Sequence, residues 1–306
     1  MAGSTGLAGS AIAKELGSAG FEVVGISRSV VNLLDEKNTL QFMQDVRPQM
    51  VIDAAAKVGG IGANNSIPVD FLVQNVQIQQ NLMLASHISK VEKFIFLGSS
   101  CIYPRDSQQP IKEEYLMTGP LEYTNSSYAV AKISGIELLN AYRRQYGHKW
   151  ISLMPANLYG PRDNFELESS HVLPALIRRF IEATEESLSA VTLWGDGSPV
   201  REFLHVNDLA SAIVVAAERY DEQMHLNVGS GFEITIKNLA SQIANLSGFT
   251  GQIYWNSKKP NGTPRKILDS TRMRSLGWEP KISLESGISS TIEWYRAAVL
   301  NGEVRK

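Results

Sequence analysis

The sequence has little of several features that would place it in common functional classes. Its 306 residues include one cysteine, Cys101, which excludes an internal disulfide and argues against a cysteine-based metal site. The 29 basic and 31 acidic residues nearly balance, which argues against a general binder of nucleic acids or membrane surfaces. No apolar run approaches the roughly 20 residues of a membrane span, and no signal peptide is visible. We therefore expect a cytoplasmic protein without a metal.

The N-terminus also lacks a strand that its own motif requires. Gly3, Gly6 and Gly9 open a helical pattern that runs to about Ala19. Glycines at this spacing allow a tight turn and bring backbone N–H groups close to a phosphate. Such a turn normally follows a buried strand, and here the chain begins at the turn. This predicts a dinucleotide-binding fold with its first strand missing; a glycine-rich coil is the alternative.

Strand and helix patterns then alternate along the chain. Strands are predicted at 21–26, 50–55, 93–97 and 150–154, and helices at 34–46, 68–89 and 125–146. This alternation is typical of an α/β fold with a Rossmann-like, doubly wound parallel sheet. Beyond it the regularity weakens, which predicts a smaller C-terminal α/β substrate lobe. We expect a dinucleotide-binding domain over 1–160 plus about 204–228, and the lobe over about 161–203 plus 229–306.

The choice of cofactor is indicated by the end of the second predicted strand. In dinucleotide folds an acidic residue there binds the ribose 2′-hydroxyl of NAD, whereas arginine accommodates the 2′-phosphate of NADP. The sequence has Ser27-Arg28-Ser29 and no acid. NADP(H) is therefore favoured, with a solvated surface arginine as the alternative.

A candidate catalytic set centres on Tyr128 and Lys132, four residues apart in a predicted helix. This spacing places both on one helix face, and an ammonium beside a phenol is expected to lower the tyrosine pKa. Ser99 follows the predicted strand 93–97, where ligands bind in such sheets. The three residues suit proton transfer at a carbonyl or alcohol oxygen. The plainer alternative is a core aromatic and a solvated lysine.

Several segments together make a more specific pattern. With these motifs the sequence resembles the extended short-chain dehydrogenase/reductases and, within them, the GDP-L-fucose synthase family. The resemblance covers almost the whole chain. Its most selective segments are Lys57 to Ile61, Ser99 to Pro104 and Ser170 to Val172.

The resemblance implies an enzyme that acts on GDP-4-dehydro-6-deoxy-D-mannose. The family epimerises C3 and C5 of this sugar and then reduces its C4 ketone with NADPH to give GDP-L-fucose. By resemblance Cys101 is the base and His171 the acid of epimerisation. Tyr128 then donates a proton to the developing alkoxide, Ser99 hydrogen-bonds the same oxygen, and Lys132 holds the nicotinamide ribose. The family also implies a homodimer through the helices near 68–89 and 125–146.

The resemblance further implies binding residues. The implied cofactor contacts are Gly3, Ser4, Thr5, Gly6, Leu7, Ala8, Gly9, Arg28, Leu97, Gly98, Ser99, Ser100, Lys132, Pro155, Ala156, Asn157, Leu158 and His171. The implied substrate contacts are Arg179, Trp194, Arg201 and Asn261. The family commonly has aspartate where this chain has Asn261, so this contact loses its charge.

Two other hypotheses stay open from the sequence. One is another nucleotide-sugar epimerase or reductase that keeps a tightly bound NAD. The other is a catalytically impaired nucleotide-binding protein, because loss of a central strand would remove one wall of the cofactor site. A dehydratase fits poorly, because it would be expected to have threonine, an acid and a base where this chain has Ser99-Ser100-Cys101.

Overall fold

The computed structural model describes residues 1–259 and 261–304. Pro260 and residues 305–306, which the predicted substrate lobe includes, lie outside the described residues. The helices are α1 Leu7–Ser18, α2 Glu36–Val46, α3 Ile61–Ser66, α4 Pro68–Ile88, α5 Ser126–Tyr146, α6 Val172–Glu185, α7 Val206–Arg219, α8 Ile236–Ser247, α9 Thr271–Ser275 and α10 Leu284–Leu300. The strands are β1 Met50–Asp53, β2 Lys93–Leu97, β3 Ile151–Pro155, β4 Asn157–Tyr159, β5 Ala190–Trp194, β6 Val200–His205, β7 Leu226–Val228, β8 Glu233–Thr235, β9 Gln252–Asn256 and β10 Arg265–Lys266.

A four-stranded parallel sheet in the order β1-β2-β3-β7 forms the centre of the first half. Its strands are short apolar runs that are buried on both faces, as expected when helices cover a parallel sheet. The predicted Rossmann-like α/β fold with a parallel sheet is therefore confirmed.

The N-terminal residues occupy the place of the first strand. Ala2 is fully buried and bridges Ile26 on one side and Asp53 on the other. Its N–H donates to the Ile52 carbonyl at 2.9 Å, and the Ile26 N–H donates to the Met1 carbonyl at 2.8 Å. The sheet thus continues past β1 through single bridges, which the sequence did not predict.

The predicted strand at 21–26 is wrong in extent, because within it only Ile26 forms a β-bridge, with Ala2. The Val24 carbonyl also accepts a hydrogen bond from the Met1 amino group at 2.9 Å, but the segment forms no ladder. Phe21 and Val24 are accordingly exposed, at 42% and 41%.

The second half adds smaller sheets and a separate group of buried side chains. β6 pairs with β4, β10 and β8, while β5 pairs with β9 in parallel. One hydrophobic cluster packs around the four-stranded sheet and includes Phe96, Leu153 and Ile213. A second cluster joins α6, α8 and α10 through residues such as Phe180, Ile243 and Ile288. The chain segment at Leu268, Met273 and Trp278 returns to the first cluster.

None of the helices in residues 1–259 and 261–304 is both long enough and apolar enough to cross a membrane.

Candidate active site

A cleft of about 2010 Å³ runs past the carboxyl ends of β1, β2 and β3. Its walls come from the start of α1, the loop after β2, the segment before α6, and the ends of β5 and β6. Most of the predicted site residues line it: Gly3, Thr5, Gly6, Leu7, Ala8, Gly9, Arg28, Gly98, Ser99, Ser100, Cys101, Tyr128, Pro155, Ala156, Asn157, Leu158, His171, Arg179, Trp194, Arg201 and Asn261. The other three, Ser4, Leu97 and Lys132, lie behind its wall.

The glycine turn before α1 has a shape that only small residues permit. Gly3 has φ +75°, and a Cβ there would lie 2.7 Å from the Ala54 carbonyl oxygen. A Cβ on Gly9 would lie 2.0 Å from the Gly3 carbonyl oxygen. No side chain caps the N-terminus of α1, so its first N–H groups are available to an anion. The turn therefore fits the diphosphate of a dinucleotide, and Arg28 lies exposed at the same cleft.

The loop after β2 brings Ser99 and Cys101 together. The Ser99 hydroxyl accepts a hydrogen bond from the Cys101 N–H at 3.3 Å and caps the short 3-10 turn that begins at Ser100. The Asn125 amide lies 3.3 Å from the Cys101 sulfur and donates to it. Arg201 and Tyr128 are both near enough for Cys101 to act on them electrostatically. A thiol, a phenol and a guanidinium therefore lie near one another on the wall of the cleft.

Tyr128 does not have the lowered pKa that its spacing from Lys132 predicted. Burial, and next the charge of Cys101, raise the pKa of Tyr128 well above its usual value, and the Ser99 side chain opposes this only in part. The Lys132 ammonium donates to the Leu97 carbonyl at 2.8 Å and lies 6.0 Å from the centroid of the Tyr128 ring. The predicted effect of Lys132 on Tyr128 is therefore wrong for this arrangement, and the phenol is protonated at neutral pH.

Asp53, a buried residue that acts on Lys132 from behind the cleft wall, was missed by the sequence reasoning. It ends β1 with no solvent exposure, and burial raises the pKa of its carboxyl to about 6, while Lys132 opposes the shift. Burial lowers the pKa of Lys132 to about 8, and Asp53 opposes that shift. Asp53 Oδ1 accepts the Ala55 N–H at 3.0 Å, whereas Oδ2 has no hydrogen-bond partner within the described chain. An acid at the end of the apolar run Met50–Ala55 was the available signal.

His171 lies on the wall of the cleft at the start of α6. It occupies the N-cap position in extended backbone conformation, but its side chain caps no N–H group. The imidazole is accessible from the cleft, and desolvation by the surrounding walls lowers its pKa. Its side chain therefore takes no part in capping the helix and is available to a ligand in the cleft.

The four predicted substrate contacts differ in how free they are. Trp194 is 61% exposed, with the Lys259 ammonium 5.1 Å from its ring centroid. Arg201 is largely enclosed, and burial lowers the pKa of its guanidinium. Arg179 also lines the cleft. Asn261, in contrast, uses its side-chain oxygen to accept the Asp196 N–H at 3.0 Å, so it fixes the turn after β5.

Comparison with known proteins agrees with this site. Residues 1–229 match the model of the NAD dependent epimerase/dehydratase family. The chain is 50% identical to GDP-L-fucose synthase 1 of Arabidopsis thaliana, covering 98% of this chain and 94% of that protein. It is 48% identical to GDP-L-fucose synthase of Escherichia coli (strain K12), covering 96% and 95%. A crystal structure of a GDP-L-fucose synthetase from Naegleria fowleri bound to NADP superposes with a TM-score of 0.91 at 26% identity, covering 100% of this chain and 95% of that one.

The chain therefore belongs to the NAD dependent epimerase/dehydratase family, whose nucleotide-binding fold it has. Within that family its curated relatives include several GDP-L-fucose synthases at about half identity over nearly their full length, which confirms the resemblance seen in the motifs.

Proposed function

We propose that the protein converts GDP-4-dehydro-6-deoxy-D-mannose into GDP-L-fucose with NADPH. The observation that carries this proposal is the meeting of Cys101, Tyr128 and His171 on one cleft behind an intact glycine turn. The named relatives support the same conclusion and do not favour an epimerase with bound NAD or a non-catalytic protein.

Cys101 and His171 perform the epimerisation in this proposal. The C4 ketone acidifies the protons on C3 and C5, so one base and one acid can invert both carbons. Cys101, as a thiolate, removes the proton from one face of each carbon and releases it to solvent between the two inversions. His171, as an imidazolium, supplies a proton to the opposite face of each carbon and takes up a new proton from solvent through the cleft.

Tyr128 is the proton donor of the reduction. NADPH, when bound, supplies the hydride for C4. The raised pKa of Tyr128 keeps its phenol protonated, so a proton is ready for the oxygen at C4 as negative charge develops there. Ser99, whose hydroxyl lies beside Tyr128, donates a second hydrogen bond to that oxygen. Lys132, whose position Asp53 and the Leu97 carbonyl help to set behind the wall of the cleft, would hold the nicotinamide ribose.

The same cleft accommodates both ligands in this proposal. The glycine turn and Arg28 hold the diphosphate and 2′-phosphate of NADP(H), with the remaining cofactor contacts made by segments 97–100 and 155–158 and by His171. Arg179 and Arg201 face the diphosphate of the sugar nucleotide, and the exposed ring of Trp194 offers a surface for its base. Asn261 acts indirectly, through the turn at Asp196.

We also propose the larger organisation that the resemblance implied. The two hydrophobic clusters support a dinucleotide domain and a substrate lobe close to the predicted bounds, except that 268–278 joins the first cluster. Exposed apolar side chains on α4 and α5, among them Val69, Val73 and Val130, support a homodimer through these helices. The protein would act in the cytoplasm.

Turnover of the named substrate tests the proposed function. Purified protein is incubated with GDP-4-dehydro-6-deoxy-D-mannose and NADPH, NADPH oxidation is followed by absorbance, and the product is identified by chromatography. Formation of GDP-L-fucose is expected. A folded protein that binds NADPH but yields no product, or one that retains NAD through dialysis, would overturn the assignment.

A further inference from the structure

The segment after β1 crosses the cleft and contacts the residues that precede His171. The Gly60 N–H donates to the Ser169 carbonyl at 2.7 Å. Ser169 and Ser170 form a turn of their own, in which both N–H groups donate to the Glu166 carbonyl. This turn leads directly into His171 and α6. The contact therefore joins the end of the central sheet to the wall that carries the imidazole.

The contact at Gly60 leaves no room for a side chain. A Cβ at this position would lie 2.4 Å from the Ser170 carbonyl oxygen. The backbone has φ −66° and ψ 179°, which any residue adopts. Glycine is therefore required for close approach and not for backbone freedom. Alanine at position 60 would push away Ser170, the neighbour of His171, without straining its own backbone.

Two buried asparagines hold this segment in place. Asn64 is 6% exposed, and its amide donates to the carbonyls of Gly59 at 2.7 Å and Gly60 at 3.0 Å. Asn75, on α4, accepts the Lys57 N–H at 2.8 Å and donates to the Lys57 carbonyl at 3.0 Å. Both ends of the segment are thus fixed to helices, so the segment can set the position of the turn that it contacts.

We propose that the contact of Gly60 with Ser169 and Ser170 fixes the position of His171 in the cleft, and we call this contact the clamp. Gly60 and Asn64 are then positioning residues for proton delivery by His171. The inference rests on the proposed role of His171 in epimerisation. A side chain that must reach two different carbons of one bound sugar tolerates little displacement, and a shift of about 1 Å can cost on the order of 100-fold in rate.

Gly60→Ala is the direct test, with inversion at C3 and C5 as the readout. The variant reacts with the substrate and NADPH, and two rates are compared: formation of sugar inverted at C3 and C5, and NADPH oxidation. We expect inversion to fall on the order of 10- to 100-fold, NADPH affinity to be unchanged, and 6-deoxy sugar reduced without epimerisation to accumulate. Equal losses in both rates would show a merely structural role and overturn the clamp.

A matched control and a double variant make the test specific. Gly17→Ala, on the exposed side of α1 with no atom within 4 Å of the added methyl, should leave both rates unchanged. Gly60→Ala combined with His171→Gln should lose no more inversion than His171→Gln alone, because both changes act on one group. Additive losses would overturn the clamp. If Gly60→Ala fails to fold, Asn64→Ala must show the same selective loss of inversion, and its absence would overturn the clamp.

The outcomes also separate this inference from the proposed function. If His171→Gln leaves inversion at C3 and C5 intact, the role of His171 is wrong, and the clamp falls with it. If His171→Gln abolishes inversion while Gly60→Ala does not change it, the proposed function stands and the clamp alone is wrong.

Discussion

At the scale of single residues, Cys101 separates the two halves of the proposed reaction. Cys101→Ser replaces the thiol by a hydroxyl, which is a far weaker acid and a poorer general base, and leaves the shape of the loop. Because Tyr128 and Ser99 remain, we expect epimerisation to fall by about 100-fold or more while reduction continues. Chromatography would then show 6-deoxy sugar that is reduced but not epimerised. Loss of both steps in equal measure would argue against the base assignment.

Asp53 predicts a pH dependence of stability. Because burial raises the pKa of this carboxyl from 3.8 to about 6, the folded protein binds its proton more tightly than the unfolded chain does. Its contribution to the free energy of unfolding is therefore complete below about pH 4 and is lost as the pH rises through about 6. The full effect is at most about 3 kcal/mol. The charged groups that act on it are Lys132 and the amino terminus of the chain.

Asp53→Asn should remove this decrease in stability with rising pH, because the amide does not titrate. Urea unfolding of both proteins at about pH 4.5 and about pH 7 gives the difference in their free energies of unfolding. The free energy of unfolding of the unsubstituted protein minus that of the variant should be larger at the lower pH than at the higher pH. A difference that does not change with pH would show that the Asp53 carboxyl does not titrate in this range.

The sequence predicted residue types better than their electrostatics. Tyr128 was found through its spacing from Lys132, Cys101 and His171 were found through the family resemblance, and the structure brings all three to one cleft. The spacing of Tyr128 and Lys132 predicted a shared helix face but not the direction of the ammonium, which turns to the Leu97 carbonyl. Asp53 was missed because its effect depends on complete burial beside Lys132, which no local pattern reveals.

At the scale of elements, we expect α4 and α5 to form an interface between two copies of the chain. They pack on each other, and Val69 and Val73 on α4 are 70% and 53% exposed. If a second copy covers this face, Val73→Glu places a charge in the interface and should give monomers. Light scattering after size-exclusion chromatography measures the mass. Val299→Glu, on the exposed end of α10, is the control and should not change the mass.

The elements that were predicted are those with local signals. Alternating apolar runs and long helical patterns predicted β1, β2, β3, α4 and α5 within a few residues. The segment at 21–26 has one β-bridge, at Ile26, in place of the predicted strand, since pairing depends on the partner as well as on the strand. β9 was missed because its partner, β5, is distant in the chain.

At the scale of the whole molecule, the cleft joins two groups of functional residues. The sheet of the first cluster supplies the glycine turn, Ser99 and Cys101, whereas α6 and β5 of the second supply His171 and Trp194. The position of the cleft was predictable, because ligands bind beyond the carboxyl ends of parallel strands. The link at Gly60 between the walls was not, since it joins residues that are distant in sequence.

The central claim is that one cleft performs epimerisation and reduction with different side chains, and Tyr128→Phe in D₂O tests it most directly. The account predicts that this variant still incorporates deuterium at C3 and C5 of the substrate, because Cys101 and His171 are intact. It also predicts that NADPH oxidation falls by about 100-fold or more, because the proton donor for the C4 oxygen is gone. Near-normal NADPH oxidation by the variant would contradict the account.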